Sequence, residues 1–270
     1  WEKIKDNWIN GHSSSRMPPI AIDNIDTYSS HIISSSNDPK GNPYLWKGLV
    51  VGNVQSGKTA TYTGLIGKAI DVGYRIIIVM SGRMNSLRYQ TEARITYQIT
   101  GANDEKSIRV DDSIHPLTNL HIDGDFGGDE SPMTSTSIVS RMMTNPESCL
   151  IGVMKKNTAP INKLAEWADE ISQIYPDFRN LPILIIDDEM DEAGTDIGGE
   201  REDDANEESE TEHEIAGLPS PTNQAITNLL REDRFSKRMY LGFTATPYAV
   251  ILHQRRQPGS PEFQEYGPDI

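Results

Sequence analysis

The chain of 270 residues is 36% hydrophobic and 24% charged, a composition compatible with one large globular domain or one and a half. Much of its formal net charge of −15 lies in residues 196–214, which hold ten acidic side chains and a single arginine. The remainder is only mildly acidic, so the charge neither supports nor excludes a local basic groove for nucleic acid. The single cysteine, Cys149, excludes an internal disulfide and a cysteine-rich zinc site.

The sequence also predicts a compartment. No stretch reaches the roughly 18 consecutive apolar residues that a membrane span needs, and no signal-like segment opens the chain. We therefore expect a cytoplasmic protein without a membrane partner. Because the chain begins at Trp1 and stops shortly after a predicted strand, we also expect it to be a piece of a longer protein.

Residues 1–40 are predicted to form an N-terminal extension. Apolar residues recur at roughly helical spacing within residues 1–10, and a second periodic patch lies around residues 25–33 in a segment rich in Ser, Asn and Pro. We expect a helix at each place, and we expect the main domain to begin at residue 41.

A glycine-rich motif follows the first predicted strand, residues 48–51. Residues 52–59 read GNVQSGKT, which fits the pattern G-x-x-x-x-G-K-T, and residues 60–72 are compatible with a helix. Strand, loop and helix in this order are the context of a phosphate-binding loop, whose backbone N–H groups face phosphate oxygens. Lys58 is expected to reach the β and γ phosphates, and the Thr59 hydroxyl to bind magnesium. The predicted nucleotide contacts in this motif are Gly52, Gln55, Ser56, Gly57, Lys58, Thr59 and Ala60.

Nearly continuous apolar runs predict four more strands and the fold class. Runs of this kind are typical of strands buried on both faces of a parallel sheet. Helical periodicity between them predicts helices on both faces of the sheet, and hence an α/β fold. The predicted strands are residues 74–80, 149–154, 182–187 and 238–243, and the later predicted helices are residues 85–100, 159–174 and 220–231.

Two segments do not fit this alternation of strands and helices. Residues 104–148 are rich in Gly, Asp, Ser and Thr, and we expect a solvated excursion from the core. Residues 196–219 are predicted to be a flexible acidic insertion, because they combine high charge with few apolar residues.

Acidic residues at the end of the predicted strand 182–187 form a second candidate element. A carboxylate beside a phosphate-binding loop can hold magnesium, and the next one can orient a water for attack on the γ phosphate. Alignment with the pattern D-E-x-D assigns Asp188 to the metal and Glu189 to the water, with Asp187 as the last strand residue. Two alternatives stay open, a register shifted by one residue and an acidic helix N-terminus without a catalytic role.

Two further places are predicted to lie near the nucleotide. The strand at residues 238–243 runs into Thr244-Ala245-Thr246, whose hydroxyl groups can hydrogen-bond the acidic motif and sense the phosphate. Thr244 and Thr246 are therefore predicted nucleotide contacts. Trp46 precedes the first strand, where an aromatic side chain either flanks a base or simply packs in the core.

Together these motifs resemble the first RecA-like domain of superfamily-two helicases and translocases, over residues 41–253. Residues 48–59, 185–189 and 242–249 are similar to the bacterial proteins that carry the Z-one domain. The resemblance implies a RecA-like P-loop core, ATP and magnesium as cofactors, ATP hydrolysis and DNA as a partner. It also implies a second RecA-like domain in the same longer chain, with residues 254–270 as the start of the linker to it.

Family knowledge further implies a role in defence against phage, since genes for such ATPases lie near restriction, methylation and MORC-like ATPase genes. A nuclease, a methyltransferase or a MORC-like ATPase is therefore a possible partner. In such helicases the loops after the second and third predicted strands contact the nucleic-acid backbone, which fixes position without reading sequence. The corresponding residues here are Ser81, Arg83, Arg88, Lys155 and Lys156.

Two functions are compatible with these motifs. The first is an ATP-dependent helicase or translocase domain that acts on DNA, in which Lys58 neutralises phosphate charge and Thr244 and Thr246 couple hydrolysis to domain movement. The second is an ATP-dependent switch that recruits or gates a partner nuclease or effector and unwinds nothing. One departure from the helicase pattern is that no Q-x-x-G-R-x-x-R segment supplies an arginine finger.

Overall fold

The computed structural model describes residues 1–10, 16–52, 57–100, 113–118, 125–126, 136–190 and 220–245. The strands in these ranges are β1 (Tyr44–Val51), β2 (Ile76–Ser81), β3 (Ile114–Pro116), β4 (Cys149–Lys155), β5 (Ile183–Asp188) and β6 (Lys237–Thr244). The helices are α1 (Glu2–Asn10), α2 (Pro19–Ser35), α3 (Lys58–Val72), α4 (Asn85–Thr100), α5 (Thr136–Thr144), α6 (Thr158–Ile174) and α7 (Pro221–Leu229), with a 3₁₀ turn at Pro176–Asn180. Within these ranges, no helix combines the length and the hydropathy that crossing a bilayer requires.

The strands form one six-stranded sheet in the order β1-β6-β5-β2-β4-β3, and every neighbouring pair is parallel. The predicted α/β fold with a parallel sheet is thereby confirmed. The prediction of a solvated excursion over residues 104–148 was wrong in part, because this segment supplies the edge strand β3 and the helix α5. A strand of three residues is too short for its periodicity to be read from sequence.

Helices cover both faces of the sheet. Side chains of β2 alternate between the faces, so that Ile76, Ile78 and Met80 join a core with α5, α6 and α7. Ile77 and Val79 join the opposite core, which is shared with α1, α2, α3 and α4. We refer to these two sides as the α6 face and the α3 face.

The two N-terminal helices pack closely against α3. A Cβ atom built on Gly64 of α3 would lie 2.5 Å from Cγ2 of Ile25, and one built on Gly67 would lie 2.6 Å from Cδ1 of Ile4. Both distances are too short for a real side chain, so these glycines allow the helices to approach. Trp8 of α1 is fully buried in the core of the α3 face. The helices predicted for the extension are therefore present and share a core with the sheet.

Candidate functional site

Parallel strands end at the same edge of a sheet, and this edge gathers most of the predicted site residues. In open parallel sheets the crevice outside the carboxyl ends of the strands is the usual place for a ligand. The end of β1 is joined to the end of β6, since the Gly52 backbone N–H donates to the Thr244 carbonyl over 3.0 Å. The residues that end the five longer strands at this edge are Val51, Ser81, Lys155, Asp188 and Thr244.

Helix α3 starts at Lys58, directly at this edge. Its N-cap residue is Gly57, which has a left-handed φ of 78° and no side chain with which to cap the helix. The first turn therefore presents backbone N–H groups and the positive end of the helix dipole, a combination that favours an anion. Lys58, Thr59 and Ala60 form this turn. The predicted contacts Gln55, Ser56 and Thr246 lie outside the described residues.

Asp188 lies on the α3 face, close to this helix N-terminus. The Tyr62 hydroxyl donates to its Oδ2 atom over 3.4 Å, while its Oδ1 atom is buried without a hydrogen-bond partner. Burial raises the pKa of Asp188, and the nearby positive charge of Lys58 opposes that shift. A buried carboxylate oxygen without a hydrogen-bond partner can bind a metal cation. Because a lysine and a helix N-terminus lie nearby, the cation suited to this place is one that is also bound by an anion such as a phosphate.

Asp187 points to the opposite face, where it faces a lysine and a tyrosine hydroxyl. Its Oδ1 atom forms a buried ion pair with Lys156 Nζ at 2.7 Å, and its Oδ2 atom accepts a hydrogen bond from the Tyr240 hydroxyl. Adjacent strand residues face opposite sides of a sheet, so Asp187 and Asp188 cannot both face α3. Of the two registers that the sequence leaves open, this arrangement favours Asp188 as the metal ligand.

Glu189 follows β5 in an unusual backbone conformation. It has a φ of 58°, in the left-handed region that residues with a Cβ rarely adopt. Its side chain extends over the end of β2, where a Cβ atom built on Gly82 would lie 3.5 Å from Oε2. The Glu189 carboxylate thus lies at the same edge as Asp188, and its negative charge contributes to the raised pKa of Asp188.

A magnesium ion fits the residues present only if a nucleotide accompanies it. Among the described residues, no group of three or more His, Cys, Asp or Glu side chains could hold a metal by itself. Magnesium is commonly held by one or two protein oxygens together with substrate phosphates. The unpartnered Oδ1 of Asp188 and the hydroxyl of Thr59 match that pattern, so both stay the predicted ligands.

Three of the five predicted nucleic-acid contacts are buried. Arg88 is fully buried, with Glu92 at 2.6 Å and Asp125 at 2.9 Å from its guanidinium nitrogens. Lys156 is buried and forms an ion pair with Asp187. Ser81 is buried as well, and its Oγ donates to the Met154 carbonyl. A side chain must reach solvent to contact a phosphate backbone, so these three predictions do not agree with the structure.

The other two predicted contacts stay accessible. Arg83 is exposed in the loop after β2, and Lys155 is half-buried at the end of β4. Trp46 packs against the core of the α3 face, and its ring would lie 2.5 Å from a Cβ atom on Gly48. This contact favours packing over base contact for Trp46.

The sequence predicted neither Tyr62 as a site residue nor the buried ion pair between Lys156 and Asp187. Tyr62 stands four residues after Lys58, the spacing that places two helical side chains on one face, so a signal for Tyr62 existed. No comparable signal marked Lys156, since its partner Asp187 is distant in the chain.

No protein-family model matches the chain, and no curated protein matches it. The similarity to the Z-one domain family is therefore supported by the motifs alone and stays a prediction.

Asp188→Asn is expected to stabilise the nucleotide-free protein at neutral pH, because it removes a buried negative charge. Burial raises the folded-state pKa of Asp188 above its ordinary value of 3.8, so stability is lost progressively as the pH rises from 3.8 through the folded-state pKa. Below pH 3.8 the group is protonated in both states and this cost disappears. Urea denaturation at several pH values measures the difference, with Glu170→Gln at an exposed position of α6 as control. An advantage of the variant that does not grow with pH would contradict the prediction.

Proposed function

We propose that this chain is a magnesium-dependent ATPase domain of the helicase or translocase type, with a RecA-like P-loop core, that acts on DNA. The observation that carries the proposal is the position of Asp188. Its unpartnered buried oxygen lies on the face of the sheet that holds α3, within the electrostatic influence of Lys58 at the start of that helix. Phosphate binding and metal binding would then occur side by side.

Each residue has a part in hydrolysis under this proposal. Lys58 and the N–H groups of the first turn of α3 bind and neutralise the phosphates. Glu189 orients the attacking water and accepts its proton. Magnesium, held by Thr59 and Asp188, would neutralise charge that develops on the phosphate oxygens.

The strand β6 supports coupling between hydrolysis and movement. It lies between β1 and β5, where Thr244 pairs with Val51 at the end of β1 and its neighbour Phe243 pairs with Asp188 at the end of β5. A change at the phosphate would therefore reach the segment after β6 through a direct main-chain contact, the bond between Gly52 and Thr244. A second RecA-like domain, and a nuclease, methyltransferase or MORC-like ATPase in a phage-defence system, are the partners that we propose from the motif resemblance.

The second candidate function, an ATP-dependent switch that recruits or gates an effector, gains support from one observation. Burial of Ser81, Arg88 and Lys156 leaves Arg83 and Lys155 as the accessible members of the predicted DNA contact set. Fewer cations at the surface mean weaker attraction to a phosphate backbone. A switch needs the ATP site but not this surface.

DNA should stimulate ATP hydrolysis by the full-length protein if it is a motor, and long DNA should stimulate more than short DNA. Phosphate release measured against DNA length and salt concentration tests this, since backbone contacts weaken as salt rises. Arg83→Ala should reduce the stimulation, whereas Arg141→Ala on α5 should not. Turnover that is indifferent to DNA at every length would reject the motor and favour the switch.

A further inference from the structure

The backbone conformation of Glu189 requires support from its surroundings. Its φ of 58° is the only positive value found for a non-glycine residue in the part of the chain that the structure describes. For a residue with a Cβ, the left-handed region is sterically unfavourable and persists only where neighbouring groups fix it. Such conformations concentrate at functional sites, and here the residue concerned carries the carboxylate proposed to orient water.

Lys156 supplies one such support from the end of β4. Its side chain is only 3% exposed, and Nζ donates to the Glu189 carbonyl oxygen over 3.2 Å while pairing with Asp187 at 2.7 Å. Its own backbone N–H donates to the Ser81 carbonyl over 3.0 Å, which anchors the lysine to β2. The ammonium group is therefore held in place and binds the chain on both sides of Asp188.

A second support acts on the next residue. Met190 packs over β6 so closely that a Cβ atom built on Gly242 would lie 2.2 Å from its sulfur. The turn at Glu189 is thus fixed by a hydrogen bond to its carbonyl and by the packing of the residue that follows. Of the two, only the hydrogen bond from Lys156 acts on Glu189 directly.

We propose that Lys156 is a positioning residue for Glu189, which it holds in the left-handed conformation that directs the carboxylate to the site. This inference rests on the proposed function, because it assigns Lys156 a part in the same hydrolysis. Lys156 touches neither nucleotide nor water in this role. Its loss should therefore lower the rate of the chemical step and leave nucleotide binding largely unchanged.

The first test is Lys156→Met, which removes the ammonium group and keeps a side chain of similar length. We expect kcat for ATP hydrolysis to fall about 10- to 100-fold, the usual effect of a slightly misplaced catalytic group. KM for ATP, and the affinity for a fluorescent ATP analogue, should change less than about twofold. Lys163→Met, at an exposed position on α6, is the matched control and should retain wild-type values.

A second variant separates positioning from folding. Lys156→Met leaves the buried Asp187 carboxylate without its cation, which can itself destabilise the protein. The double variant Lys156→Met/Asp187→Asn removes both charges and keeps an acceptor for the Tyr240 hydroxyl. Its melting temperature should be near that of the wild type while kcat stays low, because Glu189 still lacks its donor. A folded double variant with wild-type kcat would show that Lys156 serves the ion pair alone and would overturn the proposal.

A mutant cycle tests whether Lys156 acts through Glu189. In the Glu189→Gln background, adding Lys156→Met should lower single-turnover hydrolysis by less than about twofold, since the carboxylate being positioned is already absent. A further loss as large as in the wild-type background would overturn the proposal. A wild-type protein that neither binds nor hydrolyses ATP would instead overturn the proposed function, and this inference with it. An unchanged kcat in both Lys156 variants of an active enzyme overturns the inference alone.

Discussion

Glu189→Gln is expected to lower kcat for ATP hydrolysis by about 10²- to 10⁴-fold while the protein still binds ATP. The amide can occupy the same space over Gly82 but cannot accept a proton from the attacking water. Phosphate release measures the turnover, and titration with a fluorescent ATP analogue measures the affinity, which should stay within about twofold of the wild type. Turnover at the wild-type rate would remove Glu189 from the mechanism.

Two companion variants make this result specific. Lys58→Ala should lose ATP affinity as well as turnover, by about 10- to 100-fold in affinity, because a charge-assisted contact with phosphate is removed. Glu166→Gln replaces an exposed glutamate on α6 and should behave as the wild type. Equal losses in Glu189→Gln and Glu166→Gln would indicate a general effect of lost negative charge.

Arg88→Met is expected to lower the free energy of unfolding by about 3–5 kcal/mol. Arg88 pairs with the buried carboxylates of Glu92 and Asp125. Glu92 also accepts from the Thr118 hydroxyl over 2.7 Å, and Asp125 accepts from the Lys155 backbone N–H over 3.2 Å. Removing the arginine leaves the buried Glu92 and Asp125 carboxylates without the ion pairs to Arg88 and loosens α4 from the end of β4. Urea denaturation at neutral pH measures the loss.

The pH dependence of this loss identifies its cause. Burial raises the pKa values of Glu92 and Asp125, and Arg88 opposes the shift in both, so the variant should have still higher values. A group with a raised folded-state pKa costs stability as the pH rises from its unfolded-state pKa through its folded-state pKa, and the cost is absent below the unfolded-state value. The deficit of Arg88→Met should therefore shrink as the pH falls from neutral toward the ordinary pKa values of 4.5 for Glu92 and 3.8 for Asp125. A deficit of constant size would point to lost packing instead.

Arg94→Met provides the control for this series. Arg94 lies on the same helix at an exposed position, and its replacement should change the free energy of unfolding by less than about 0.5 kcal/mol. A similar loss in both variants would mean that α4 depends on its overall charge and not on the buried ion pairs.

The architecture was largely predictable from sequence, for a physical reason. The strands β2, β4, β5 and β6 are buried on both faces, so most of their residues are apolar without alternation, which is the pattern expected of strands inside a parallel sheet. The edge strand β3 and the short helix α5 could not be found in this way, because each is too brief or too polar for its periodicity to stand out. Both lie within residues 104–148, the segment whose composition predicts a solvated excursion from the core.

The buried position of Arg88 shows a different limit. The pair Arg88 and Glu92 has the spacing of an ordinary surface ion pair on a helix, and the sequence offered no reason to place it inside. Burial of the pair depends on Asp125 and Thr118, which come from a segment that reaches α4 only in the folded chain. The error in the predicted nucleic-acid contacts follows from this dependence on distant residues.

The sequence by itself determined that acidic residues follow a buried strand in a chain with a G-x-x-x-x-G-K-T motif, and that neighbouring strand residues face opposite sides. It did not determine which side faces the motif. The tertiary structure decided that, because α3 crosses one face of the sheet while α6 and α7 cover the other. Asp188 consequently faces Lys58 with an unpartnered oxygen, and Asp187 is neutralised by Lys156. Strand alternation is a local property, whereas the face that a helix covers depends on the path of the whole chain.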